Sequence, residues 1–194
     1  PDGAWAQFPA FASANGIDVS KVKVQPVGFP TREPMLKEGK VDAITGFSFS
    51  SYLNLVRLGV PENDIKVLLM ADYGLALYGN AIIVNTNFAK SNSSKVTGFL
   101  RAVANGWRDV IANPKKGAAM VAKRNPAADV ALEARRLKLS IDANVVTDYT
   151  KVNGMGNIDA ARMAKAMKQL AQNYKFSNKP DMSKIFDASY LPKD

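Results

Sequence analysis

Whatever chemistry this 194-residue chain offers is concentrated in four short stretches: PDGAWAQF at its start, GFPT (Gly28 to Thr31), GFSFSS (Gly46 to Ser51) and ADYGLALYGN (Ala71 to Asn80). Together they hold the rings of Trp5, Phe29, Phe47, Phe49, Tyr73 and Tyr78 beside the polar groups of Asp2, Thr31, Ser48, Ser50 and Asn80. That is a large share of the rings in a chain only 9% aromatic. Flat rings stack on other flat rings, and aromatic walls with a few polar groups suit a small organic ligand. Helix starts at Ala4 and Ser48 would add backbone N–H groups able to hold a ligand oxygen. Such a set captures a molecule and makes no bonds. The candidate ligand-binding residues are Asp2, Gly3, Ala4, Trp5, Phe29, Phe47, Ser48, Tyr73, Tyr78 and Asn80.

Composition narrows the chemistry further. The chain has no cysteine and no histidine, so it offers no disulfide, no thiolate and no imidazole base or metal ligand. Triad catalysis is ruled out, and neither enzyme activity, nor a cofactor, nor a metal site is expected. The formal charge of +9 raises the question of nucleic acid. The cations are scattered, however, and the densest group is only Arg135, Arg136 and Lys138. No basic run alternates with aromatics, so a solvated basic surface is expected and no nucleic-acid partner. No apolar run approaches the roughly 20 residues that span a bilayer. The chain opens on Pro1 without a leader pattern, which reads as a processed or truncated product.

Each candidate also has a plain structural reading. Phe8 and Tyr52 are expected in the core. Phe47 and Phe49 would point to opposite sides on an extended backbone, leaving one to face a ligand. Ser48 is most simply an N-cap, Asp42 is structural at a strand start, and Tyr73 and Tyr78 divide evenly between packing and ligand contact.

These residues need elements to position them. A helix is expected over Ala4 to Ala14, closed by Asn15-Gly16. Alternation marks strands at KVKVQPV (Lys21 to Val27), KVDAITG (Lys40 to Gly46), DIKVLLMADYG (Asp64 to Gly74) and NAIIVN (Asn80 to Asn85). Between them PTREPMLKEG and SFSSYLNLVRLG read as short helices stopped by Gly39 and Gly59. Helix and strand in alternation predict an α/β fold with a mostly parallel sheet. From Ser93 the pattern is helical: Val96, Phe99, Leu100, Val103, Trp107, Val110 and Ile111 make one apolar stripe. Further helices are expected over Lys115 to Lys123, over Asp129 to Leu139, and after a cap at Asp159, with an irregular tail. The expected organisation is an α/β lobe over 1–75, a crossover over 76–85 and a helical segment over 86–194.

The combination EGKVDAITGFSFSSYLNLVRLGVP, ADYGLALYGNAIIVN and VTGFLRAVANGWRDVIANP resembles the NMT1/THI5-like solute-binding components of bacterial ABC importers, relatives of the binders of sulfonates, taurine, nitrate and thiamine-precursor pyrimidines. The resemblance runs along the whole chain. It implies a type II periplasmic-binding-protein fold, in which 1–75 is the second lobe, Tyr73 to Ile83 a hinge crossing, and 86–194 the return to a first lobe whose opening section is absent.

It also implies a small-molecule ligand, an inner-membrane permease as partner, a monomer, and a periplasmic or lipid-anchored extracytoplasmic location. Arg32, directly after GFPT, is the one cation beside the candidate stretches, which favours a planar, uncharged or amino-bearing heterocycle such as a pyrimidine over a sulfonate or nitrate. Beside a sulfonate-, taurine- or nitrate-type binding protein, two further alternatives stay open. One is a fungal-type enzyme that builds a thiamine pyrimidine from its own histidine, which these residues lack. The other is the effector domain of a transcription regulator.

Overall fold

The computed structural model describes residues 3–178 and 180–192. It divides into two units, one made of 1–77 with 161–175 and the other of 78–160 with 176–194.

In the first unit α1 (Gly3–Ala14) ends where the sequence requires. Gly16 takes φ +66°, and the Ile17 amide returns to the Ala12 carbonyl at 2.9 Å; only glycine adopts that φ without strain. α2 (Phe29–Lys37) begins one residue after an extended Gly28, with Pro30 in its first turn. α3 (Leu53–Arg57) carries the buried Leu53 and Leu55. The Lys37 ammonium, donating to the Leu58 carbonyl at 2.7 Å, ties the end of α2 to the end of α3.

The period-2 stretches behave differently from the expectation. Where their ends are defined they are extended, as at Val22 (φ −90°, ψ 114°) and Leu69 (φ −75°, ψ 118°). Yet among the described residues no strand forms. The expected α/β, parallel-sheet, type II periplasmic-binding-protein-like class is therefore corrected to helices joined by extended connectors. Alternation reports what a residue run prefers locally; a sheet also needs a neighbour about 4.8 Å away to exchange hydrogen bonds. Here the aliphatics of these runs face solvent: Val24 is 45% exposed, Leu68 55% and Ile83 91%. The end of the third run closes into a 3₁₀ turn, Met70–Tyr73, stopped by Gly74 at φ +89°.

Residues 161–175 belong to the first unit through α9 (Ala160–Asn173). The Arg162 guanidinium donates to the carbonyls of Ala76 and Leu77 at 2.9 and 3.0 Å. Gln169 accepts from the Ala76 amide and donates to the Gly74 carbonyl, both at 2.9 Å. Tyr174 donates to the Ala6 carbonyl at 2.6 Å. The apolar face of α9, with Ala166 buried, is thus held by polar bonds at both ends.

The second unit is helical as expected, with sharper boundaries. α4 (Thr86–Ser91) is capped by Asn85. α5 (Ser93–Ala112) runs the length of the apolar stripe. Asn113 then caps α6 (Pro114–Arg124), with Pro114 at its first position. Asp129 caps α7 (Val130–Ser140), which runs into a π-helical turn through Val145. Thr147 and Thr150 form a capping box at the start of α8 (Asp148–Asn153). α10 (Met182–Ile185) shortens the irregular tail.

Candidate functional site

GFSFSS turns out to be a corner built on a buried ion pair. Arg32 and Glu33 lie on the inner side of α2, and Glu33 is only 3% exposed. The Arg32 guanidinium donates to the Glu33 carboxylate at 2.7 Å and, through the same nitrogen, to the Ser51 hydroxyl at 2.8 Å. Burial pushes the Glu33 carboxyl up, but hydrogen bonds from Arg32, Ser51 and its own backbone outweigh it and hold the group below the usual glutamate range. The charge is therefore kept, and it anchors the corner.

Ser48–Tyr52 forms a wide π-helical turn between Phe47 and α3. The amides of Ser50 and Ser51 both return to the Phe47 carbonyl at 2.9 Å. Two expectations change here. Phe47, not Ser48, occupies the cap position, and no side chain caps this turn. Phe47 and Phe49 do not point apart either: their rings stack with centroids 5.3 Å apart and planes 16° apart. The reason is that the turn begins at Ser48, so the extended alternation that would have separated residues 47 and 49 stops at Phe47.

Phe29, at the start of α2, is 63% exposed, and the Arg32 guanidinium stands 5.3 Å from its ring centroid. A cation behind a ring strengthens its placement and leaves the other face open. One corner thus presents Phe29, the Phe47/Phe49 pair and the hydroxyls of Ser48 and Ser50.

A second ring series lies elsewhere in the first unit. Trp5 stacks on Phe8 at 5.1 Å, Phe8 meets Phe11 at 6.1 Å, and Phe11 meets the edge of Tyr73 at 6.1 Å. Asn15 donates to the Tyr73 carbonyl at 3.1 Å, fixing that end to α1. Phe8, expected in the core, is half-buried within this series, and Tyr52, expected there too, is half-buried and bonded to the Glu62 carboxylate. Tyr73 is 45% exposed. Ala4 is buried, Gly3 exposed, and Asp2 lies outside the described residues.

Tyr78 and Asn80 belong to the second unit. The Tyr78 hydroxyl accepts the Asp159 amide at 2.9 Å, and Tyr149 donates to the Ile158 carbonyl at 2.7 Å, so two phenols hold the segment that leads into α9. Burial pushes the Tyr149 phenol above its usual value, with Asp159 adding to the shift. Asn80 is exposed. This unit also has two surface hollows of about 270 and 530 Å³, one beside Arg108, Asn153 and Leu191, the other beside Ile111, Ile141 and Val146. None of the sequence-predicted residues lines either.

Glu33 and Ser51 were not among the predicted residues. The available signal was a carboxylate beside Arg32 and a hydroxyl four residues before the apolar Leu55, both on helix faces that must turn inward.

A family model described as NMT1/THI5 like matches residues 3–117, more than half of the chain. The chain is also similar to the riboflavin-binding protein RibY of Chloroflexus aurantiacus, with 26% identity over 182 residues, covering 92% of this chain and 50% of that protein. It spans about half the length of this curated relative.

Proposed function

Since the chain belongs to the NMT1/THI5-like family, we propose that it is a solute-binding protein that captures a small planar heteroaromatic molecule and releases it unchanged. The observation that carries this reading is the corner of Phe29, Phe47 and Phe49: a stacked ring pair, a largely exposed third ring and a single cation committed to Glu33. Such a surface recognises a flat ring by stacking. It gives poor recognition to a sulfonate or nitrate, which needs several donors or free cations. The relative's name extends the ligand class from pyrimidines to flavin-sized rings. With no histidine or cysteine in the sequence, binding rather than turnover is what these residues support. Delivery to an ABC permease on the outer face of the inner membrane completes the proposal, and family membership supports it.

Calorimetric titration with riboflavin, an aminopyrimidine and taurine tests it. Saturable binding of a heteroaromatic with no taurine signal is the expected result. Taurine binding with neither heteroaromatic bound overturns it.

A further inference from the structure

Helix α6 has the sequence PKKGAAMVAKR, which carries Lys115, Lys116, Lys123 and Arg124 and no acidic residue. Some cations of the second unit are neutralised locally: Arg136 by Glu133 at 3.1 Å, Lys138 by Asp142 at 2.6 Å and Lys151 by Asp148 at 2.8 Å. Among the described residues, no ion pair reaches any of the four cations of α6.

Their placement is not explained by folding. Lys115 and Lys116 follow Pro114 in the first turn, at the positive end of the helix dipole, where a cation is disfavoured. Lys116, Met120 and Arg124 follow one another at four-residue spacing, with Lys123 seven residues after Lys116, and so share one face. The side bearing Gly117 and Ala118 is buried. A Cβ on Gly117 would stand 2.9 Å from Leu137 and 3.1 Å from Val110, so α6 rests flush on α5 and α7. The basic face is thereby held outward, with Met120 on it 51% exposed.

We propose that this face of α6 is a docking surface for a bilayer of anionic phospholipids. The ammonium and guanidinium groups meet headgroup phosphates, and the Met120 side chain enters the headgroup layer. Cations flanking an exposed apolar side chain match that layered chemistry. Nucleic acid would satisfy the cations alone, because its backbone phosphates offer nothing to Met120. No described helix is long and apolar enough to cross a membrane, so the contact is peripheral.

The test is co-sedimentation of the full chain with phosphatidylcholine vesicles containing 30% phosphatidylglycerol at about 100 mM salt, where surface charge is screened beyond roughly 10 Å. Two variants of equal net charge are compared: K115Q/K116Q/K123Q/R124Q on α6, and K23Q/K66Q/K90Q/K175Q away from it. Circular dichroism confirms that both fold. The α6 variant is expected to partition at least about 100-fold less well, given roughly fivefold per surface cation, and the control variant to fall far less. Equal losses would mean that diffuse net charge drives binding and overturn the proposal. So would no vesicle binding by the parent chain, or α6-dependent binding to duplex DNA tighter than to vesicles.

Discussion

The hydroxyl of Ser51 occupies the space that a side chain on Gly46 would need: a Cβ at position 46 would lie 2.0 Å from it and 3.3 Å from the Arg32 guanidinium. The requirement for glycine here is one of close approach. Gly46→Ala is expected to cost about 1–3 kcal/mol, because Ser51 cannot turn away without losing its bond to Arg32. Adding Ser51→Ala to it should recover part of that loss, making the pair non-additive in urea denaturation. Additive costs would place the strain elsewhere.

Glu33→Gln breaks a buried pair and should cost about 3 kcal/mol at neutral pH. The pH dependence has a definite sign. Glu33 ionises more readily in the folded chain than its ordinary value of 4.5, so its contribution is complete above that value and is lost as pH falls through the lowered one. Stability curves of the parent and Glu33→Gln proteins should converge on acidification below about pH 4.5; a constant gap would show that the charge is not what matters.

Tyr149 should act at the opposite end of the pH scale. Its phenol is raised above the usual 10.0, so folding favours the protonated form, and stability should fall as pH rises from about 10 through the higher folded value. Tyr149→Phe should flatten this alkaline limb in thermal melts, and an unchanged limb would refute the assignment.

The exposed rings permit a separation of binding from stability. Phe29→Ala should change stability by no more than about 0.5 kcal/mol, since the ring is largely in solvent. The same change should weaken binding of a planar ligand about tenfold, the value of one ring contact of roughly 1.4 kcal/mol. Unchanged affinity measured by calorimetry would remove this corner from the site.

Ile83, at 91% exposure, stands in a run of exposed aliphatics with Ile82 and Val84. Contiguous apolar groups on an extended segment invite self-association. Ile83→Lys should leave the melting temperature within about 2 °C, as expected of a surface change, and reduce light scattering in concentrated samples. Undiminished scattering would place the sticky surface elsewhere.

What the sequence determined by itself was local. Asn15-Gly16, Asn113-Pro114 and Asp129 set helix ends through φ preferences and capping groups that act within a few residues, and the structure places those ends within one or two positions. The absence of histidine and cysteine excluded whole classes of chemistry without reference to shape. The tertiary structure decided what depends on distant partners. Alternating runs such as KVKVQPV carry a preference for extension, but whether they pair depends on what lies beside them, and among the described residues they stay single. In the same way Ser51 meets Arg32, and α9 meets Gly74 to Leu77, only after the chain has doubled back. Capping and dihedral preferences are written in neighbouring residues; pairing and burial are fixed by contacts between residues far apart along the chain.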